Sequence, residues 1–88
     1  MYENFVNVDE FINCFNHGCE IRFKYNEKEY SVSSDKGEKI VLCKFGSDRT
    51  ETEYETPQMV LEHRIDGKRL GDILQDIKMR FRAFYNDI

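Results

Sequence analysis

Cys14, His17, Cys19 and Cys43 are the residues whose types could do metal or thiol chemistry, because three thiols and an imidazole match the ligand count of a structural zinc site. Their spacing argues against it. Cys14 and His17 fall near a helix end, Cys19 points with the buried face of a strand, and no paired two-residue knuckle is present. Cysteines packed as small apolar side chains, with His17 as a favourable cation at a helix C-terminus, are the plainer reading. A cysteine nucleophile would need a base within hydrogen-bond reach and a group to hold the oxyanion. Only His17 and His63 could serve, and neither is joined by a glycine-rich loop or a paired carboxylate. No catalytic residue, metal or cofactor is therefore expected, and the chain reads as a binding protein rather than an enzyme.

A stronger signal is the carboxylate ladder Glu51, Glu53 and Glu55, with Asp48 just before it. On a strand these three glutamates share one face at about 6.8 Å spacing. This acidic edge is the first candidate partner-binding surface, an electrostatic lure for a basic groove on a nucleic-acid-handling protein. Duplex DNA carries a charge every ~1.7 Å of axis, so a mimic would also need Asp9, Glu10 or Glu62. The plainer alternative is an edge strand kept soluble by its charge.

The elements that must position these residues begin with a helix. Asn7 can cap it, Glu10 can complete a capping box, and Val6 can staple onto Phe11. Val8, Phe11, Ile12 and Phe15 recur at helical spacing, and Gly18 stops the run. The period then changes to two: Cys19, Ile21, Phe23 and Tyr25 alternate with Glu20, Arg22 and Lys24. A polar turn at 26–29 leads to a returning strand through Tyr30, Val32 and Ser34, and a second turn falls at 35–38. Residues 40–45 read as a central strand and 50–56 as a fourth strand or extended edge, joined in an antiparallel meander because such short connections cannot cross over. Thr56 and Pro57 open a short helix expected to reach about Arg64.

The last segment places Leu70, Ile73, Leu74, Ile77, Phe81, Phe84, Tyr85 and Ile88 on one stripe, which predicts a long amphipathic helix. Lys78 and Arg82, four apart, with Arg80 nearby, give it a basic patch that complements its own dipole. Such a helix would run about 28 Å, against roughly 15 Å across a four-stranded sheet. Its far end, Phe81, Phe84, Tyr85 and Ile88, is the second candidate surface. It would meet Phe5 and Tyr2, the same helix of a second copy, or another protein.

Bulk composition narrows the partner. Seventeen Asp and Glu outnumber thirteen Lys and Arg, for a net charge of −4, so direct nucleic-acid binding is disfavoured by repulsion from phosphate. No apolar run approaches the roughly eighteen residues that span a bilayer, and the N-terminus lacks the basic and apolar stretches of a signal peptide. Three cysteines outside any dense framework suit a reducing cytosol, with free thiols expected and a cytoplasmic location. Eighty-eight residues fit a single domain over 1–88, with the seven Phe and five Tyr supplying much of a small core.

The segment Gly18-Cys19-Glu20-Ile21-Arg22-Phe23-Lys24-Tyr25, followed by Tyr30-Ser31-Val32 and later by Ile65-Asp66-Gly67-Lys68-Arg69-Leu70, resembles a pattern common in small uncharacterised proteins of Gram-positive bacteria and their phages. The likeness covers most of the chain. Glu27 departs from it where glycine usually follows the asparagine, which argues against a tight two-residue turn. What the resemblance implies is an inhibitor of host defence, with anti-CRISPR proteins among such products.

Taken together, the expected fold is α+β: an N-terminal helix, a three- or four-stranded antiparallel meander, a short helix and a long C-terminal helix, all packed on one sheet face. The expected role is an acidic inhibitor or adaptor that blocks a basic nucleic-acid-binding surface of a bacterial nuclease. The alternatives are a homodimer assembled through the C-terminal helix and an immunity-type protein that neutralises a basic toxin.

Overall fold

A computed structural model describes residues 3–34 and 39–84. The turn expected at 35–38, and the roles given to Tyr2, Tyr85 and Ile88, lie outside the described residues.

Helix α1 spans Val8–Asn16. The Asn7 side chain accepts the Glu10 N–H at 3.0 Å, and the Glu10 carboxylate accepts the Val6 N–H at 3.2 Å, so the first turn's orphan donors are satisfied reciprocally. The expected Val6 staple does not form, because Val6 is 73% exposed. Phe5 takes that place, packing edge-on against Phe11 with ring centroids 5.2 Å apart. Gly18 ends the helix at φ 84°, a conformation free of Cβ strain only for glycine.

Strands β1 (Cys19–Tyr25) and β2 (Lys28–Ser34) follow, joined through Asn26 and Glu27. Both turn residues have positive φ, 49° and 66°, the geometry of a two-residue turn whose twist matches the strands. The tight turn therefore forms without glycine. Its tip is clasped by Asp66, whose carboxylate accepts the Asn26 amide at 2.9 Å and lies 3.1 Å from Lys28 Nζ. The Asn26 hydrogen bond, with that of Lys28 behind it, holds the Asp66 carboxyl below the usual carboxylate range.

Strands β3 (Ile40–Lys44) and β4 (Thr50–Tyr54) extend the meander. Helix α2 spans Pro57–Leu61, with the Thr56 hydroxyl capping the Met59 N–H. It stops short of Arg64 because the chain turns into a small hairpin, β5 (Arg64–Ile65) and β6 (Lys68–Arg69), over Asp66 and Gly67. Helix α3 is one turn, Leu70–Ile73, and is followed by β7 (Lys78–Phe84).

Strand β7 overturns the expected C-terminal helix. The main sheet has five antiparallel strands in the order β4-β3-β2-β1-β7, and the stretch read as the second half of a helix pairs with β1 along its length. Two periodicities coexist in this segment: the four-three apolar spacing, and the alternation of Lys78, Arg80 and Arg82 with Met79, Phe81 and Ala83. Without β7, strand β1 would be a bare edge. With it, the overhang of a long helix is avoided and a seven-residue strand gains a backbone ladder. The helical spacing survives only in Leu70, Ile73, Leu74 and Ile77, all buried. Amides from distant positions hold the turn before β7. Asn4 Nδ2 donates to the Ile77 carbonyl at 2.6 Å, and Gln75 Nε2 to the Phe5 carbonyl at 2.7 Å.

One apolar cluster lies between the helices and one face of the sheet, built from Phe5, Phe11 and Phe15 against Ile21, Phe23, Val32, Ile40 and Leu42. Cys14 and Cys19 are bridged within it, at 1% and 0% exposure, where free thiols were expected. The end of α1 and the start of β1 bring their Cα atoms to 5.9 Å, within disulfide reach. Cys43 is a free, buried cysteine outside that cluster.

Candidate functional site

Side chains alternate across a strand, so the register assigns the other face of the sheet residue by residue. One cross-strand row reads Phe81, Arg22, Ser31, Cys43 and Glu51, from β7 to β4. The next reads Ala83, Glu20, Ser33, Val41 and Glu53. None of these residues belongs to the core cluster, and among the described residues no helix packs over them. Phe81 at one edge and Glu51 and Glu53 at the other thus share the sheet face opposite the described helices.

The β4 side holds the acidic ladder on an edge strand. Glu51 lies 3.2 Å from Arg49 Nη2, and Glu55 lies 3.7 Å from Lys39 Nζ just beyond the strand end. Glu53 is exposed and has no ion-pair partner among the described residues. Asp48 sits in the turn before β4 and is not part of the ladder. Of the four acidic candidates, Glu51 and Glu53 lie in the strand rows of this face, and Glu55, just past the strand end, lines a concavity together with Glu53 and Val41. Arg49 reaches back along it, 5.6 Å from the centroid of the Phe45 ring.

The β7 side is basic and aromatic. A bulge between Phe81 and Met79, opposite Arg22 and Phe23, reverses the facing of the strand. Met79 stays in the core and Phe81 moves to the open face. Arg82 turns to the helix side, where its guanidinium lies 4.2 Å from the Phe5 ring centroid and 3.3 Å from Glu10. Phe84, 43% exposed, pairs with Cys19 on the helix side and does not join Phe81. Phe81 and Phe84 thus lie on opposite faces of the sheet, and the other two residues of the helix-end cluster, Tyr85 and Ile88, lie outside the described residues. On the open face a shallow concavity of about 630 Å³ is lined by Glu20, Arg22, Glu29, Phe45, Arg80 and Phe81. Arg22 and Glu20 approach to 3.5 Å within it.

Phe45 and Val41 were not singled out by sequence reasoning, and Arg80 was read only as part of a basic patch on the expected C-terminal helix. Their signal is present in the alternation of β1 and β3, and it becomes readable once the two-residue turn fixes the register.

The residues weighed for metal and thiol chemistry are dispersed. Cys14 and Cys19 are consumed by their bridge, and His17 Nδ1 lies 2.9 Å from the Asn13 carbonyl of its own helix. Among the described residues no group of three or more His, Cys, Asp or Glu side chains could hold a metal ion. His63 instead pairs with Tyr54, its Nδ1 lying 2.5 Å from the Tyr54 hydroxyl oxygen with the rings edge to face. Burial lowers the His63 pKa and raises that of Tyr54, both favouring the neutral pair.

Among the described residues no helix is long and apolar enough to cross a membrane. No family model matches the chain, and no curated protein or solved structure matches it.

Proposed function

We propose that the chain is a small protein-binding inhibitor or adaptor that sets the β3–β4 half of the sheet face opposite the described helices against a basic surface of a larger, nucleic-acid-handling protein. The observation that carries this reading is the placement of Glu51 and Glu53 on an edge strand beside the half-buried Val41 and Phe45. Apolar side chains rimmed by charge form the kind of patch that docks a protein partner. Unpaired Glu53 is available to a partner's cation without breaking an internal ion pair. Glu51 would exchange one guanidinium for another. The net charge of −4 favours a basic protein over nucleic acid or an anionic membrane.

The resemblance to small proteins of Gram-positive bacteria and their phages supports a bacterial nuclease as the target and anti-defence as the purpose. The proposed location is the cytoplasm. Full burial of the Cys14–Cys19 bridge supports its persistence there, because thiol exchange needs access to the sulfurs. Binding rather than catalysis is supported by the engagement of His17 and His63 in separate local hydrogen bonds.

The test is capture from the native host's lysate with the wild-type chain and with a Glu51→Gln, Glu53→Gln, Glu55→Gln variant. A nucleic-acid-handling protein held by the first and lost by the second supports the reading. Identical capture by both removes the acidic edge from it.

A further inference from the structure

The sheet ends on two edge strands, and only one of them is built against further pairing. Strand β7 carries a bulge between Met79 and Phe81, where its register against β1 shifts, and a bulged, basic edge resists another strand. Strand β4 runs in unbroken register with β3 from Thr50 to Tyr54. Its sequence, Thr-Glu-Thr-Glu-Tyr, holds no proline, and among the described residues no strand pairs with its outer side.

The hydrogen-bond phase of the sheet determines which backbone groups face outward. The Phe45 N–H donates to the Glu29 carbonyl at 2.9 Å, and the register of β2 and β3 sets these two residues opposite each other. Phe45, and by alternation Cys43 and Val41, therefore turn their backbone groups to β2, while Lys44, Leu42 and Ile40 turn theirs to β4. Their partners there are Thr50, Thr52 and Tyr54. The N–H and C=O groups of Glu51 and Glu53 point away from the sheet. The same two residues carry exposed carboxylates on the face opposite the helices. Backbone and charge together select an added strand whose residues opposite Glu51 and Glu53 are cationic, at positions i and i+2. The residue between them falls opposite the half-buried Thr52. A second copy of β4 does not meet this description, because pairing along its full length sets Glu51 against Glu53 of the other copy.

We propose that an extended segment of the partner, with Lys or Arg at alternate positions, adds to β4 as an antiparallel strand. This deepens the proposed function, on whose reading of Glu51 and Glu53 as contacts it rests, by giving the partner's basic surface a backbone conformation and a register. Glu53 meets its cation without losing an ion pair among the described residues. At Glu51 the incoming cation displaces the exposed Arg49, 3.2 Å away.

The test uses the purified, isotope-labelled chain and capped synthetic peptides. One peptide alternates lysine with valine, and a second has the same composition with the lysines and valines in separate blocks. In a titration followed by amide NMR, the alternating peptide should shift the Glu51 and Glu53 amides and slow their hydrogen exchange. The block peptide, with the same charge, should bind at least about tenfold more weakly. Methylating the lysine amide nitrogens, which face β4, should also cost at least about tenfold; methylating the valine nitrogens, which face away, should cost less than about threefold. Glu51→Gln, Glu53→Gln, shown by circular dichroism to be folded, should weaken binding and flatten its salt dependence. No binding of the alternating peptide at millimolar concentration, equal binding of the block peptide, or equal loss from both methylations overturns the proposal. None of these outcomes touches the lysate capture: a protein held by the wild type and lost by the glutamine variant would then meet Glu51 and Glu53 through side chains alone.

Discussion

The Arg82 guanidinium lies 4.2 Å from the centroid of the Phe5 ring, tying the last described strand to the segment before α1. Glu10 of α1 holds the same guanidinium at 3.3 Å. Replacing Arg82 with Ala removes a cation over a buried ring together with the packing of its stem. The expected loss is about 1–2 kcal/mol of stability, read as a lower urea midpoint, with Arg82→Lys recovering part of it. A midpoint unchanged by Arg82→Ala would show that β7 is anchored by its backbone ladder alone.

Glu27 occupies the left-handed region at φ 66° in the turn between β1 and β2, where a Cβ is disfavoured. Glycine there should stabilise the chain by about 0.5–1 kcal/mol, the relief of strain outweighing the added freedom of the unfolded chain. Thermal unfolding of Glu27→Gly measures the balance. A lower midpoint would mean that the Glu27–Lys24 ion pair, 3.7 Å long, outweighs the strain.

Acid should weaken the contact between β4 and the segment after α2. Burial lowers the folded pKa of His63. As the pH falls through the unfolded value of about 6.5, the unfolded chain takes up a proton that the folded chain resists. Stability is then fully present above that pH and is lost below it, down to the folded pKa. His63→Asn keeps an acceptor for the Tyr54 hydroxyl without the titration. Denaturant midpoints at a series of pH values should decline in this window for the wild type and decline less for the variant. Parallel curves would exclude His63 as the cause.

The Cys14–Cys19 bridge closes a short loop, its partners five residues apart. Loop-closure entropy at that length is worth about 2 kcal/mol. Cys14→Ala, Cys19→Ala should therefore remain folded with its stability reduced by about that amount. Loss of folding would assign the bridge a larger role than closing this loop.

The parts of the fold legible in the sequence are those set by neighbours along the chain. Asn7 and Glu10 announce the start of α1, Thr56 and Pro57 that of α2, and the alternation from Cys19 to Tyr25 a half-buried strand. Strand β7 was illegible because its partner is some sixty residues away, and because Leu70, Ile73, Leu74 and Ile77 begin a helical pattern that the following residues can also be made to continue. The bulge that turns Phe81 outward and Arg82 inward leaves no local mark. The acidic ladder was readable as an edge strand, but the ion pairs from Arg49 and Lys39 depend on turn and strand-end geometry. The bridge between Cys14 and Cys19 depends on how α1 folds back onto β1.

The central claim is that the sheet face opposite the described helices, through Glu51 and Glu53, engages a basic surface on another protein. Its most direct measurement is the affinity of the protein captured from host lysate for the wild type and the Glu51→Gln, Glu53→Gln, Glu55→Gln variant, each titrated at low and high salt. The account predicts an affinity that falls as salt rises, a loss of at least about tenfold in the variant at low salt, and a shallower salt dependence for the variant. Equal affinities with equal salt dependence would contradict it.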